Sequence, residues 1–123
     1  MLKEVYVLNQ SRDIASPPRV LYCNTFLSQL RGLTFRSRLS RDEGLILVGK
    51  RDSRLDSSIH MLFVRFDLAV FWIDSNMKVV DKLIAKPWRP AYFSARPAKF
   101  VLELHPDRFP DFNLDETVVF KNA

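Results

Sequence analysis

The sequence predicts a mainly β protein, a single-domain antiparallel β-sandwich or barrel-like fold with one short helix at about residues 28–38. Three observations support this fold class. The chain has 123 residues, which fits one domain. Seven or eight short runs are rich in β-branched and aromatic residues and are separated by turn residues. Only one stretch spaces its apolar residues as a helix does, and neither a repeat nor a linker divides residues 1–123.

The first third of the chain predicts two strands and the helix. Val5 and Val7 alternate loosely with polar neighbours and predict an edge strand, and residues 20–26 predict a second strand. The hydroxyl of Ser28 is suited to cap the helix that follows. Gly32 inside that helix costs about 1 kcal/mol relative to Ala, so we interpret it as a place where another backbone comes close.

The middle of the chain predicts a buried strand, a loop and a long central strand. Residues 44–49 form an apolar run between two glycines, and residues 50–58 are polar and charged. Residues 58–73 are apolar on both alternating faces up to Val64, which is typical of a strand covered on both sides. Asp67 interrupts this strand before it resumes.

The last third predicts a hairpin and two further strands. Residues 74–76 have turn chemistry, and residues 79–84 then form the return strand of a hairpin. The two prolines within residues 86–90 lack a ladder donor and exclude a strand interior there. Residues 100–104 alternate with period two, and residues 117–120 predict the last strand.

Composition excludes several classes of site. A single cysteine, Cys23, excludes an internal disulfide and a multi-cysteine zinc site, and we expect it to be a small buried hydrophobe. We expect no metal, since Cys23 and two histidines leave few nitrogen and sulfur ligands. We expect no cofactor, since three glycines cannot build a phosphate-binding or dinucleotide loop. A Gly-x-Ser-x-Gly elbow is absent. No apolar run approaches about 18 residues and no signal peptide is visible, which predicts a cytoplasmic protein without a membrane span.

The net charge of +5 is distributed unevenly along the chain. Residues 31–54 hold seven basic and three acidic side chains, and residues 82–99 hold five basic side chains and no acidic one. Residues 103–116 hold five acidic side chains and one arginine. The two basic blocks are compatible with weak nucleic-acid binding, and equally with a solvated surface that like charge keeps soluble.

An ordered set of short motifs resembles a known family. The motifs are Gly32-Leu33-Thr34-Phe35-Arg36, Gly44-Leu45-Ile46-Leu47, His60-Met61-Leu62-Phe63-Val64-Arg65-Phe66, Val70-Phe71-Trp72-Ile73-Asp74, Pro87-Trp88-Arg89 and Val101-Leu102-Glu103-Leu104. Over about residues 21–120 the chain resembles the domain-of-unknown-function 192 family, also called uncharacterised protein family 0127. The family-motif residues are then Gly32, Leu33, Arg36, Gly44, His60, Arg65 and Phe66. The resemblance implies a compact β-sandwich-like fold with a short helix and implies no established activity.

One position departs from the pattern of that family. The family usually has Pro-Ile-Asp or Pro-Leu-Asp after the Arg-Phe pair, where this chain has Asp67-Leu68-Ala69. Ala69 therefore replaces the interior acid, unless Asp67 takes its role from the same strand face about 7 Å away. Either the acid is structural in the family, or this chain has lost an activity.

Three side chains are the candidates for catalysis. His60 is the best of them, with Asp67 and Asp81 as acids that would have to approach it. The sequence does not show that these acids converge. A histidine bonded to a main-chain carbonyl and a salt-bridged surface are the structural alternatives, in which Asp81 pairs with Arg65.

Four side chains are the candidates for binding a ligand: His60, Arg65, Trp88 and Arg89. Our leading hypothesis is a small non-enzymatic β-domain that binds an unidentified small ligand or protein partner through these residues, since β folds often bind at the mouth. One alternative is an enzyme, possibly hydrolytic, that uses His60 with a nearby acid. Another is nucleic-acid binding, because aromatic side chains that stack on bases alternate with cations between Trp88 and Lys99.

Overall fold

Short apolar runs separated by turn residues give a protein built almost wholly from strands. The computed structural model describes residues 3–23, 38–61 and 64–123. The strands are β1 (Lys3–Asn9), β2 (Arg19–Cys23), β3 (Glu43–Ser53), β4 (Leu68–Ile73), β5 (Val79–Ala85), β6 (Ala98–Leu104) and β7 (Val118–Asn122), with a 3-10 helix at Pro106–Asp111. The mainly β class is thereby confirmed. The predicted helix at about 28–38 falls on residues 24–37, which lie outside the described ranges.

The strands form one seven-stranded sheet in the order β5-β4-β6-β3-β2-β1-β7. The sheet is mixed rather than purely antiparallel, because β2 and β3 run parallel, with Val20 opposite Gly44. A parallel pair needs a connection of about a dozen residues or more, and the chain is long enough for one between the end of β2 at Cys23 and the start of β3 at Glu43. The predicted hairpin of β4 and β5 is confirmed.

Two predicted strands differ in the structure. β1 is an interior strand rather than an edge strand, because the C-terminal β7 returns to pair with it. Among the described residues of the predicted strand at 58–73, only Leu68–Ile73 lies in the sheet, while Ile59 makes a single bridge to Tyr92. Met61 and Val64 are buried against the face of the sheet instead of within it. The apolar pattern therefore corresponds to a segment that covers the sheet, followed by a strand of the sheet.

The two outer strands approach each other at one end of the sheet. Lys78 bridges Thr117, and the amides of Val79 and Val118 donate to the carbonyls of Glu116 and Met77 at 3.0 and 2.8 Å. The sheet thus curls into the barrel-like form. One buried cluster fills its interior with side chains from all seven strands and from the residue after the 3-10 helix: Val5, Val7, Val20, Ile46, Ala69, Phe71, Ile73, Val79, Phe100, Leu102, Leu104, Phe112 and Val118.

A second buried cluster covers the outside of the curled sheet. Its sheet members include Leu45, Val70, Trp72 and Val101. Side chains from outside the sheet pack on them: Leu39, Ile59, Met61 and Val64, with Phe66 and Tyr92 partly buried. We call residues 57–61 and 64–66, together with residues 86–92, the loop layer. The apolar residues that follow Ser58 in the sequence thus form part of this layer.

Candidate functional site

Main-chain hydrogen bonds join the two segments of the loop layer. The Met61 amide donates to the Arg89 carbonyl at 2.8 Å, and the Trp88 amide donates to the Met61 carbonyl at 2.7 Å. Ile59 and Tyr92 exchange two further bonds of 3.0 and 2.8 Å. The Val64 amide also donates to the Met61 carbonyl, at 3.1 Å. The Met61 backbone is therefore the point where both segments meet.

This pairing brings the four sequence-predicted ligand-binding residues to one region of the molecule. His60 precedes Met61, Arg65 follows Val64, and Trp88 and Arg89 bond directly to the Met61 backbone. All four side chains are exposed. We call His60, Arg65, Trp88 and Arg89 the recognition surface.

Trp88 is held in an unusual backbone conformation. Its φ is 67°, in the left-handed region that bulky residues seldom adopt and that costs about 1–3 kcal/mol. Its side chain is 52% exposed, so burial of the indole does not account for the strain. The hydrogen bond from its amide to Met61 fixes this conformation. A strained and exposed tryptophan points to a role outside the core.

The two arginines of the recognition surface differ from the cations around them. Within the described part of the chain, Arg65 and Arg89 form no salt bridge. Nearby cations do pair, with Lys86 2.9 Å from Asp67 and Arg96 3.3 Å from Asp115 in side-chain N–O distances. The region therefore presents two guanidinium groups whose charge no described acid neutralises.

The acids proposed for catalysis are engaged elsewhere. Asp67 pairs with Lys86, and Asp81 accepts from the amides of Ala95 and Lys82 at 2.7 and 2.8 Å. Asp81 thus ties β5 to the segment before β6, whereas the sequence left open a pair with Arg65. These bonds give both carboxylates a structural role in holding neighbouring segments together.

The position of the missing family acid is closed to solvent. Ala69 is fully buried and faces the barrel interior. The Asp67 side chain is 37% exposed and bonded to Lys86. Asp67 consequently does not replace an interior acid at position 69.

Much of the charge in the basic blocks is neutralised or bonded locally. In residues 31–54, of which the structure describes 38–54, Arg41 lies 3.5 Å from Asp107 and Arg54 donates to the Ser94 carbonyl at 2.8 Å. In residues 82–99, Lys82 donates to the Phe109 carbonyl and to Asn113, at 3.0 and 2.8 Å. Burial lowers the pKa of Lys82, although Glu116 opposes the shift. The described parts of the two blocks therefore do not present an unbroken run of unpaired cations along the chain.

The other sequence expectations concern cysteine, metals and membranes. Cys23 is buried with 1% exposure, which confirms its prediction as a small buried side chain without a disulfide. In the described ranges, three or more His, Cys, Asp or Glu side chains nowhere cluster as a metal site would need. No helix within those ranges has the length and apolar character to cross a membrane.

The structure adds a chemically notable residue, Glu103, to which the sequence analysis assigned no role. Glu103 of β6 lies opposite Leu45 of β3 and Val70 of β4, on the outer face that the loop layer covers. It is 7% exposed, and burial raises the pKa of its carboxyl group to about 7. The sequence did contain a signal for the burial of Glu103. In the period-two pattern of a strand with two apolar faces, Glu103 falls on the same face as Val101.

A second missed group is the buried guanidinium of Arg108. Its side chain is 7% exposed and donates to the Arg41 carbonyl at 2.6 Å, to Asp111 at 3.1 Å and to Asp42 at 3.3 Å. These bonds join the 3-10 helix to the turn that precedes β3. Arg108 therefore has a structural role. The sequence indicated only that one arginine lies among several acidic residues, and it did not indicate that this arginine is buried.

Comparison with known proteins agrees with the fold. The model of the DUF192 family, described as an uncharacterized ACR, matches residues 7–119. A UPF0127 protein of Thermococcus kodakarensis is 33% identical over 79% of this chain, and one of Pyrococcus furiosus is 37% identical over 79%. The match spans 60% of the first relative's length and 80% of the second's. A crystal structure of a protein of unknown function from Novosphingobium aromaticivorans superposes with a TM-score of 0.80 at 20% identity, covering 96% of this chain and 84% of that one.

Proposed function

Since the chain belongs to the DUF192 family, whose function is uncharacterised, we propose from the site itself that this domain binds an acidic peptide segment of a partner protein through the recognition surface. The observation that carries the proposal is the pairing at Met61. It places an exposed, strained Trp88 beside Arg89 and brings Arg65 to the same region. Neither arginine forms a salt bridge within the described residues.

The charges favour a short anionic segment. Guanidinium groups bind carboxylates in two-point geometry, and the two unpaired arginines therefore suit a peptide with a few carboxylates. A long polyanion such as nucleic acid gains affinity from many cations at once. Here Lys86, Arg96 and Lys82 are already bonded within the protein.

The tryptophan favours an apolar or aromatic side chain in the same segment. Tryptophan and arginine are enriched among the residues that dominate binding energy at interfaces. The strain at Trp88 is tolerated in the free protein with its indole 52% exposed, so a partner side chain packed on it would bury area that the fold leaves open.

The proposal is tested with a labelled peptide in which Glu alternates with Phe, measured by fluorescence anisotropy. We expect saturable binding that weakens as salt rises, because partly exposed charges are screened. The double variant Arg65→Glu/Arg89→Glu should lose at least tenfold in affinity. The matched control Lys50→Glu/Lys99→Glu reverses two charges outside the surface and should bind within a factor of three.

Three results would contradict the proposal. One is equal binding of a peptide in which Lys replaces every Glu. Another is binding of an oligothymidine but not of the acidic peptide, which would favour nucleic acid instead. The third is an equal loss in the control double variant, which would show that overall charge alone is responsible.

A further inference from the structure

Two large apolar side chains are exposed at the same end of the loop layer. Leu55 lies in the turn that follows β3 and is 73% exposed, and Phe93 follows the 86–92 segment and is 49% exposed. The Arg54 guanidinium donates to the Ser94 carbonyl at 2.8 Å and joins the two segments beside these residues. We call Leu55 and Phe93 the apolar tip.

The turn that carries Leu55 is held in place by its own polar groups. The Ser53 hydroxyl accepts a hydrogen bond from the Asp56 amide at 3.0 Å. The amide and the hydroxyl of Ser58 donate to the Leu55 carbonyl at 3.1 and 2.7 Å. The serines of this turn thus bond to its backbone, while its leucine is left in solvent. Exposed apolar side chains that lie close together among polar ones are typical of interaction sites.

The apolar tip lies where the ends of the two basic blocks meet. Ser53 near the end of the first block pairs with Ala98 near the end of the second. Residues 50–56 and 93–99, which contain the tip, together hold five basic and two acidic side chains. The end of the loop layer that exposes the tip therefore carries an excess of positive charge.

Most of these cations are available to an external anion. Lys50 and Lys99 form no salt bridge within the described residues. Arg51 and Arg96 pair with exposed acids at 3.8 and 3.3 Å, and exposed pairs contribute so little free energy that a competing anion displaces them at small cost. The Arg54 guanidinium keeps its charge, because its partner is a carbonyl group.

We propose that the apolar tip inserts into the surface of an anionic lipid bilayer while the surrounding cations contact the headgroups. Large apolar side chains gain free energy in the acyl region, and long basic side chains reach the headgroup level from beside them. Single side chains on a turn insert into a bilayer without a matching pocket. The excess of basic residues favours anionic headgroups over neutral ones. This interaction uses residues outside the recognition surface and does not depend on peptide binding.

Cosedimentation of the whole chain with lipid vesicles tests the proposal. We expect at least fivefold tighter binding when phosphatidylglycerol replaces a third of the phosphatidylcholine, and weaker binding as salt rises. The double variant Leu55→Asn/Phe93→Asn removes the apolar side chains without changing charge and should lose at least fivefold in affinity. The matched control Leu114→Asn changes a leucine that is 52% exposed outside the tip, and it should bind as the unmodified protein does.

A fluorescence measurement separates insertion from adsorption by charge. In a Trp88→Phe background, Leu55→Trp places an indole at the tip, and the remaining Trp72 is fully buried. Brominated acyl chains in the anionic vesicles should quench this fluorescence at least twofold. The matched variant Leu114→Trp in the same background should show no quenching.

Several results would overturn the proposal. Equal affinity for neutral and anionic vesicles would remove the role of the cations. Full vesicle binding by Leu55→Asn/Phe93→Asn, or equal quenching in the two tryptophan variants, would exclude insertion of the tip. A dimer in sedimentation velocity that this double variant dissociates, in a protein that binds no vesicles, would assign the tip to a second copy of the chain instead.

The variant Lys50→Glu/Lys99→Glu distinguishes this surface from the recognition surface. It should lose at least fivefold in affinity for anionic vesicles while it still binds the acidic peptide within a factor of three. Unchanged vesicle affinity in this variant would contradict the proposal. Loss of the peptide alone would contradict both this proposal and the proposed function.

Discussion

The indole Nε1 of Trp72 donates a hydrogen bond of 2.8 Å to the main-chain carbonyl of Ser57. Trp72 is fully buried in β4, and Ser57 begins the loop layer, so this bond ties the covering segment to the sheet. The pairing of that segment with residues 86–92 then sets where His60, Trp88 and Arg89 emerge. The recognition surface thus depends on a buried contact away from it.

Replacing Trp72 by Phe should lower the free energy of unfolding by about 2–4 kcal/mol. The change leaves the Ser57 carbonyl without its donor and opens space in a packed core. Chemical denaturation measures the loss. The matched variant Trp88→Phe alters an exposed indole and should change stability by less than about 1 kcal/mol. Equal effects of the two changes would refute the structural role of Trp72.

Replacing Arg108 by Leu should lower the free energy of unfolding by about 3–5 kcal/mol. The change removes the guanidinium that donates hydrogen bonds to the Arg41 carbonyl and to the partly buried carboxylate of Asp111. Arg41→Ala breaks only an exposed pair with Asp107 and should cost less than about 1 kcal/mol. A small effect of the Arg108 change in denaturation would show that its bonds add little to stability.

Glu116 should make the fold sensitive to acid. Burial alone would raise its pKa, but hydrogen bonds from Asn9, Asn113 and Arg12 outweigh burial and lower it. A lowered pKa contributes stability above the unfolded value of 4.5, and this contribution is lost as pH falls through the folded value. Unfolding midpoints of Glu116→Gln between pH 2 and pH 6 should vary less with pH than those of the unmodified protein. An unchanged acid slope would contradict this role.

The change Trp88→Asn should weaken peptide binding without lowering the stability of the fold. Asparagine tolerates positive φ, so the change relieves strain and should leave the free energy of unfolding unchanged or raise it by up to about 1 kcal/mol. Binding of the Glu/Phe peptide should fall at least fivefold. Phe93→Asn changes another half-exposed aromatic, outside the set of positive-φ residues, and should neither stabilise nor reduce binding. Loss of stability in Trp88→Asn would mean that the indole is structural.

The sequence pattern predicted the strands better than the places where the chain leaves the sheet. Residues 100–104 and the hairpin after Ile73 were predictable because period-two alternation and turn residues are local signals. The predicted strand from Ile59 is wrong, because a covering segment and a doubly covered strand both have apolar residues on two faces. The interior place of β1 depends on β7, more than 100 residues away, which no local pattern reports.

The sequence indicates which residues are candidates for the site, but it does not indicate how they are bonded. His60, Arg65, Trp88 and Arg89 stood out as polar or aromatic side chains in apolar or proline-rich surroundings, and the loop pairing brings them together. The acids Asp67 and Asp81 stood out equally, but their partners Lys86 and Ala95 are fixed by tertiary contacts. Glu103 was hidden because its burial depends on neighbours contributed by β3 and β4.

We propose that the recognition surface, which includes Trp88, contacts an acidic partner. The most direct measurement is an NMR titration that follows the two indole N–H signals, one from buried Trp72 and one from exposed Trp88. Addition of the Glu/Phe peptide should shift the Trp88 signal saturably and leave the Trp72 signal in place. A Trp88 signal that stays unmoved while the peptide binds elsewhere, or a peptide that shifts neither signal at millimolar concentration, would contradict the account.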